Sequence, residues 1–296
     1  MSVNWKPKFL FHNFKVCFGA ALCKLLLRVA ILKNRRSRRI LALPDKPVPQ
    51  SALYKIAHRL GYRFVADENE QADVIIAWED CTIRRADARL DRLAASSRVI
   101  NVRATDIRKQ RVAEVFERVF GYALKVDPRS FSGPILRKSD HNARHDGTIV
   151  TAPLEPEPGY VYQRLINNAV DGLYENIRVP VFGSFIAYCL MQRYAPKHRF
   201  TLNEGTARLE EVDRVFTADE LAQLALFCRE MGLDYGELDV LRNADDGRLY
   251  VVDVNTTPFG PVNRRLDDSW WFDRLSWQSF TRLCSAFERE LGAKPS

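Results

Sequence analysis

The stretch "GELDVLRNADDGRLYVVDVNTTPFGP", residues 236–261, constrains the chain most, because it places carboxylates inside two apolar strands. Two alternating runs flank an Asp-Asp-Gly turn, the pattern of a β-hairpin. In the second strand Val252 and Val254 take one side of the sheet, and Val251, Asp253 and Asn255 take the other. In the first, Leu238 and Val240 oppose Glu237 and Asp239 in the same way. A turn centred near Asp246 brings Asp239 opposite Asp253. Like charges directly opposed weaken a ladder, so a positive partner is expected between them.

At 296 residues the chain is long enough for about two domains, and its 46% hydrophobic and 28% charged content is that of an ordinary globular protein. Its net charge of +8 is concentrated at one end. Residues 1–44 carry ten Lys or Arg and no acid, which leaves the other 252 residues near −2. The basic character therefore belongs to an N-terminal arm, and a nucleic-acid partner is not expected. The six cysteines are scattered without a CxxC pair, the usage of a reducing cytoplasm rather than of a disulfide or zinc framework. No run reaches the roughly 20 apolar residues that span a bilayer. The nearest, residues 16–32, is broken by Lys24 and Arg28 and followed by "KNRRSRR" without a small-residue cleavage site, so no signal peptide is expected.

Residues 5–36 read as a basic amphipathic helix. Such a helix either docks on the protein's own body or makes peripheral contact with an anionic membrane surface. A short α/β pattern follows: strand "RRILALP", a helix ending at Gly61, strand "ADVIIAWED", a helix over about 85–95 and strand "SRVINV". This alternation implies a parallel sheet, and the absence of GxGxxG disfavours a dinucleotide site. A helix over 106–120 is expected next, with Thr105 as N-cap and Gly121 as its stop. Strands follow in "GPILRK", in 160–166 and on both sides of Gly183. A helix over 218–231 opens with a capping box, Thr217 and Glu220. A C-terminal helix with an aromatic side closes the chain.

Asp239, Asp253 and Asn255 would offer two carboxylates and one amide oxygen from adjacent strands. Mg²⁺ takes such ligands, with substrate phosphates completing its shell. Asp253 and Asn255 also begin a turn, where both residue types are common; the pairing with Asp239 favours the metal reading.

At this point "GELDVLRN…GRLYVVDVNTTP" resembles the closing motif of the ATP-grasp superfamily, in which an acid on one strand and acid-x-Asn on the next hold Mg²⁺ against ATP. Asp stands here where many members have Glu. The resemblance covers roughly residues 100–265 and implies further site residues in chain order. Lys109 and Lys138 match the two lysines that reach the ATP phosphates. "VYQRLI" matches the hinge, whose backbone contacts to adenine would fall to Gln163, Arg164 and Leu165. In "ENIRV", Arg178 matches an arginine at the phosphates or acyl-phosphate, with Glu175 or Asn176 placed to reach the ribose. The loop "SDHNARHDG" holds one glycine, Gly147, where many relatives are Gly-rich; side chains of His141, Arg144 or His145 would replace backbone donors there.

The fold class this implies is α/β (α+β): an ATP-grasp domain over 105–296, with subdomains meeting at about 160, behind a small parallel α/β domain over 39–104 and a basic arm over 1–38. The activity it implies is ATP- and Mg²⁺-dependent joining of a small-molecule or peptide carboxylate to an amine or thiol, with release of ADP, through one or two ions (Mn²⁺ as an alternative). The alternatives are an ATP-grasp-type kinase acting on a hydroxyl and a membrane-associated ATP-binding module without turnover. Arg193, Lys197 and Arg199 read equally well as contacts to an anionic substrate or as surface charge.

Overall fold

The computed structural model describes residues 38–142, 144, 146–198, 205–260 and 274–292. The arm at 5–36, and with it any membrane contact, lies outside the described residues, as do His145, Arg199 and the "WWFD" run before the last helix. Fourteen strands are described: β1 (Arg38–Pro44), β2 (Tyr62–Val65), β3 (Val74–Trp78), β4 (Val99–Ile100), β5 (Gly133–Ser139), β6 (Thr148–Ala152), β7 (Tyr160–Arg164), β8 (Ala169–Val170), β9 (Leu173–Phe182), β10 (Phe185–Ile186), β11 (Cys189–Tyr194), β12 (Gly205–Glu210), β13 (Tyr235–Arg242) and β14 (Leu249–Asn255). Six α-helices accompany them: α1 (Ala52–Leu60), α2 (Ala88–Ala94), α3 (Lys109–Phe120), α4 (Val212–Val215), α5 (Ala218–Met231) and α6 (Arg274–Glu290).

The leading sheet is four-stranded, in the order β2-β1-β3-β4, and every pair is parallel. Its central strands are buried on both faces, as crossover helices require. Ile40, Ile76 and Trp78 pack with α1, α6 and part of the large sheet. Leu41, Leu43 and Ile75 pack with Leu90 of α2 on the opposite side. β2, "YRFV", joins this sheet although the sequence pattern marked no strand there.

The second sheet has seven strands along the path β12-β11-β9-β13-β14, with β8 and β10 paired to β9. Ile177, Val179, Val181, Leu238, Val240 and Val254 bury one face against Phe116 of α3 and Leu224 and Phe227 of α5. The capping box of α5 forms as expected: Thr217 Oγ1 accepts from Glu220 N–H, and Glu220 Oε2 accepts from Thr217 N–H. The third sheet, β6-β5-β7, is antiparallel and stands apart with a small core of Ile135, Ala152 and Tyr162.

The start of α3 differs from its expectation. Thr105 is not the N-cap, because residues 105–107 are held extended against 82–84: Arg84 N–H donates to Thr105 O at 2.8 Å and Ile107 N–H to Thr82 O at 3.0 Å. The helix therefore begins only at Lys109, and its first turn is capped from a distance, by Asp140 Oδ1 accepting from Gln110 N–H at 2.8 Å. Gly121 stops it in the left-handed region, at φ 78°, as expected.

Candidate functional site

The β13–β14 hairpin has the anticipated register where it carries acids. Glu237 pairs with Asn255, Leu238 with Val254, and Asp239 with Asp253. Beyond that point a bulge shifts the ladder, so that Val240 pairs with Val251 and Arg242 with Leu249. Cross-strand partners share a face, so Val251 lies with Val240 in the helix-side core, not with Asp253 as simple alternation implied. Val252, the extra residue, joins the same core. Gly236 opens the hairpin because nothing larger fits: a Cβ there would stand 2.6 Å from Asn255 O.

Two cations answer the opposed aspartates. Lys109, at the first turn of α3, holds its ammonium 3.8 Å from Asp253 Oδ2. Arg178, facing Asp239 from β9, places Nε 3.6 Å from Asp239 Oδ1 and donates from Nη1 to Glu237 Oε1 at 2.7 Å. Burial pushes the Asp253 carboxyl above the usual range; Lys109 opposes that, Asp239 adds to it, and Lys138 opposes it again. Glu237, 5% exposed, is raised by burial, with Arg178 acting against the rise. Asp239, and next to it Glu237, hold Arg178 more firmly protonated than a free arginine. Asp239 and Asp253 keep side chains 30% exposed, within reach of a ligand.

No protein-family model matches the sequence, and no curated protein matches it. Among solved structures the chain is similar to the ATP-grasp ligase PsnB complexed with a minimal precursor, at 15% identity over 86% of this chain and 99% of that one, with a TM-score of 0.50. It is equally similar to the D-cycloserine synthetase DcsG, at 14% identity over 86% and 100% of the two chains, again with a TM-score of 0.50. The fold is ATP-grasp.

Within the ATP-grasp fold the remaining candidates separate by face. β9 turns Asn176 and Arg178 to the acid side of the sheet and Glu175 to the helix side, where Arg193 donates to Glu175 at 2.7 Å and Arg208 lies 3.7 Å away. Of the two ribose candidates, only Asn176 therefore shares a face with Arg178. Arg193 is spent on that helix-side pair. Lys138, on β5 opposite Val161, is near enough for its charge to favour the ionised Asp253 carboxylate.

Gln163, paired with Leu136 on β7, is 1% exposed, and its side-chain Oε1 and Nε2 have no hydrogen-bond partner. A buried amide left unpaired costs about 1–3 kcal/mol, and a ligand edge carrying both a donor and an acceptor would recover it. Arg164 turns outward: its N–H goes to Leu124 O at 2.9 Å and its Nε to Ala123 O at 3.1 Å. Leu165 follows half-buried at the strand's end.

The acid set suits a metal held jointly with a ligand. Among the described residues no group of three or more His, Cys, Asp or Glu could hold an ion unaided. Two carboxylates and one amide oxygen leave a shell that phosphate oxygens would complete. Asn255 Oδ1 already accepts from Thr257 N–H at 2.9 Å, and Thr257 Oγ1 donates to Asp80 Oδ1 at 3.0 Å, which ties the amide to the end of the leading sheet. Sequence reasoning missed Asp80 and Thr257, and also Tyr194, whose hydroxyl donates to Gln192 on the acid side of β11 at 2.6 Å.

Proposed function

We propose that the chain is an ATP-dependent ligase that activates a carboxylate as an acyl-phosphate for attack by an amine, with release of ADP and phosphate. The observation that carries this reading is the facing pair Asp239 and Asp253, with Lys109 3.8 Å from one and Arg178 3.6 Å from the other. Opposed acids flanked by cations form a receptacle for a metal and a polyphosphate together. The fold agrees, and two of its solved neighbours are named a ligase and a synthetase.

Asp239, Asp253 and Asn255 would hold one or two Mg²⁺, which supply charge neutralisation and a template for the phosphates. Lys109 and Lys138 would bring positive charge to the phosphates. The hinge of Gln163, Arg164 and Leu165 would carry the adenine, and Asn176 would reach the ribose. Arg178, oriented by Glu237, stabilises charge on the transferring phosphoryl group and the acyl-phosphate. In the first step a carboxylate oxygen attacks the γ-phosphorus, and the bond to the ADP oxygen breaks. In the second the amine nitrogen attacks the acyl carbon, the C–O bond to phosphate breaks, and the nitrogen loses a proton. The protein positions and neutralises; no side chain serves as covalent nucleophile.

Calorimetry of ATP with and without Mg²⁺ tests the reading on wild type and on Asp253→Ala/Asn255→Ala. Mg²⁺-dependent binding is expected in the first and its loss in the second, with an unchanged circular dichroism spectrum. A wild type that binds no ATP under either condition would overturn the reading. Paired carboxylates and amines screened for ADP release then identify the substrates, and a phosphorylated hydroxyl product would show a kinase instead.

A further inference from the structure

The lysine nearest the acids does not stand by itself. Lys109 is buried, and its Nζ donates to His141 O at 3.0 Å and to Asn142 Oδ1 at 3.3 Å. Asn142 lies four residues past Lys138, at the base of the loop between β5 and β6. Its amide nitrogen Nδ2 donates to Val254 O at 3.0 Å, the carbonyl between Asp253 and Asn255. Its backbone N–H donates to Thr82 Oγ1 at 2.9 Å. Thr82 O in turn accepts from Ile107 N–H at 3.0 Å, two residues before Lys109. One residue thus ties together the segment after the leading sheet, through its backbone, and, through its side chain, the helix carrying the lysine and the strand carrying Asp253 and Asn255.

We propose that Asn142 is a positioning residue that fixes the Lys109 ammonium over Asp253, an inference that rests on the nucleotide reading of this site. The chemistry selects an amide. Oδ1 must accept from an ammonium while Nδ2 donates to a carbonyl, and among short side chains only asparagine offers both. Aspartate would face Val254 O with a second acceptor, and serine is too short to bridge. β14 is an edge strand of its sheet, so this contact also covers a carbonyl at an edge. Lysine has four rotatable bonds and strong hydration, and without the bracket its charge would spread over many positions rather than meet the phosphates at one. The bracket holds the ammonium within reach of Asp253 before any ligand arrives.

The test is the affinity for ATP with Mg²⁺, by calorimetry, of wild type, Asn142→Ala, Lys109→Met and the double variant. Asn142→Ala is expected to weaken binding about tenfold, the size usual for groups that orient a ligand-binding residue without touching the ligand. In the Lys109→Met background it is expected to cost nothing further, because the group it positions is gone. Adenosine binding, followed by ligand-observed NMR, is expected to stay unchanged in Asn142→Ala, whereas general loss of structure would weaken both ligands. The proposal is overturned if Asn142→Ala binds ATP as wild type does while Lys109→Met does not, or if the two losses simply add. A wild type that fails to bind ATP overturns the nucleotide reading instead, so the two failures are distinguishable.

Discussion

The β13–β14 hairpin and the base of the loop after β5 bring groups to the same spot by opposite means. In the hairpin, Asp239 and Asp253 are aimed by strand alternation, and the valines and leucines behind them anchor the sheet in the largest core cluster. At the loop base the aim comes from single hydrogen bonds, those of Asn142 and of Asp140. Geometry set by a core is stable and changes only with large losses of stability. Geometry set by individual polar contacts can change without unfolding anything, and on the proposed reading a loop that admits a nucleotide would use that freedom.

Four measurements would break or sharpen this contrast, the largest effect first. Leu238→Ala, on the core side of the hairpin, should cost about 3 kcal/mol in urea unfolding. A cost at the loop base of similar size, against the roughly 1 kcal/mol expected for Asn142→Ala, would erase the distinction. Lys55 of α1 comes next. It is buried with Nζ donating to Phe259 O at 3.0 Å just beyond the hairpin, and desolvation lowers its pKa from 10.5 to about 8. A group whose folded pKa is lowered binds fewer protons in the native state, so its contribution to stability grows as pH rises from about 8 to 10.5. Relative to Lys55→Met, wild type should gain up to about 3 kcal/mol across that window; parallel stability curves would exclude a strained lysine.

Gly236→Ala should cost about 2 kcal/mol, because its Cβ meets the Asn255 carbonyl, and should also abolish Mg²⁺-dependent ATP binding. Retained binding would mean that Asn255 is held less tightly than the hairpin contacts imply. The smallest effect has the opposite sign. Asp253→Asn removes one of two opposed like charges and should stabilise the metal-free protein by about 0.5 kcal/mol in urea. Destabilisation there would mean that Lys109 depends on Asp253 more than on its two loop acceptors.

The same contrast explains what the sequence disclosed. Period-two alternation made the pairing of Asp239 with Asp253 readable, and the capping box announced α5. The parallel leading sheet followed from alternating strands and helices. The bulge carries no local mark, since Val251 and Val252 are both apolar and β-branched. The edge strand β12, "GTARLE", is polar and mostly exposed, so it lacks the pattern that burial writes into a strand. Thr105 looked like a cap because nothing in its neighbourhood shows that residues 82–84 hold that segment extended. Asn142 meets Val254 across 112 positions of chain, and no reading of local pattern sees such a contact. Gln163 entered the sequence reading only through its resemblance to a hinge, and the unpaired state of its buried amide appears only when the surrounding atoms are in place.

The bulge in β14 also decides which changes of length the site can survive. With Val252 removed, Val251 and Asp253 become neighbours that already point to opposite sides, and the acids still face each other. One residue added between Asp253 and Asn255 would instead rotate Asn255 into the helix-side core, because a one-residue slip exchanges the faces of everything beyond it. The strand therefore tolerates a deletion at one position and forbids an insertion just beyond the next residue.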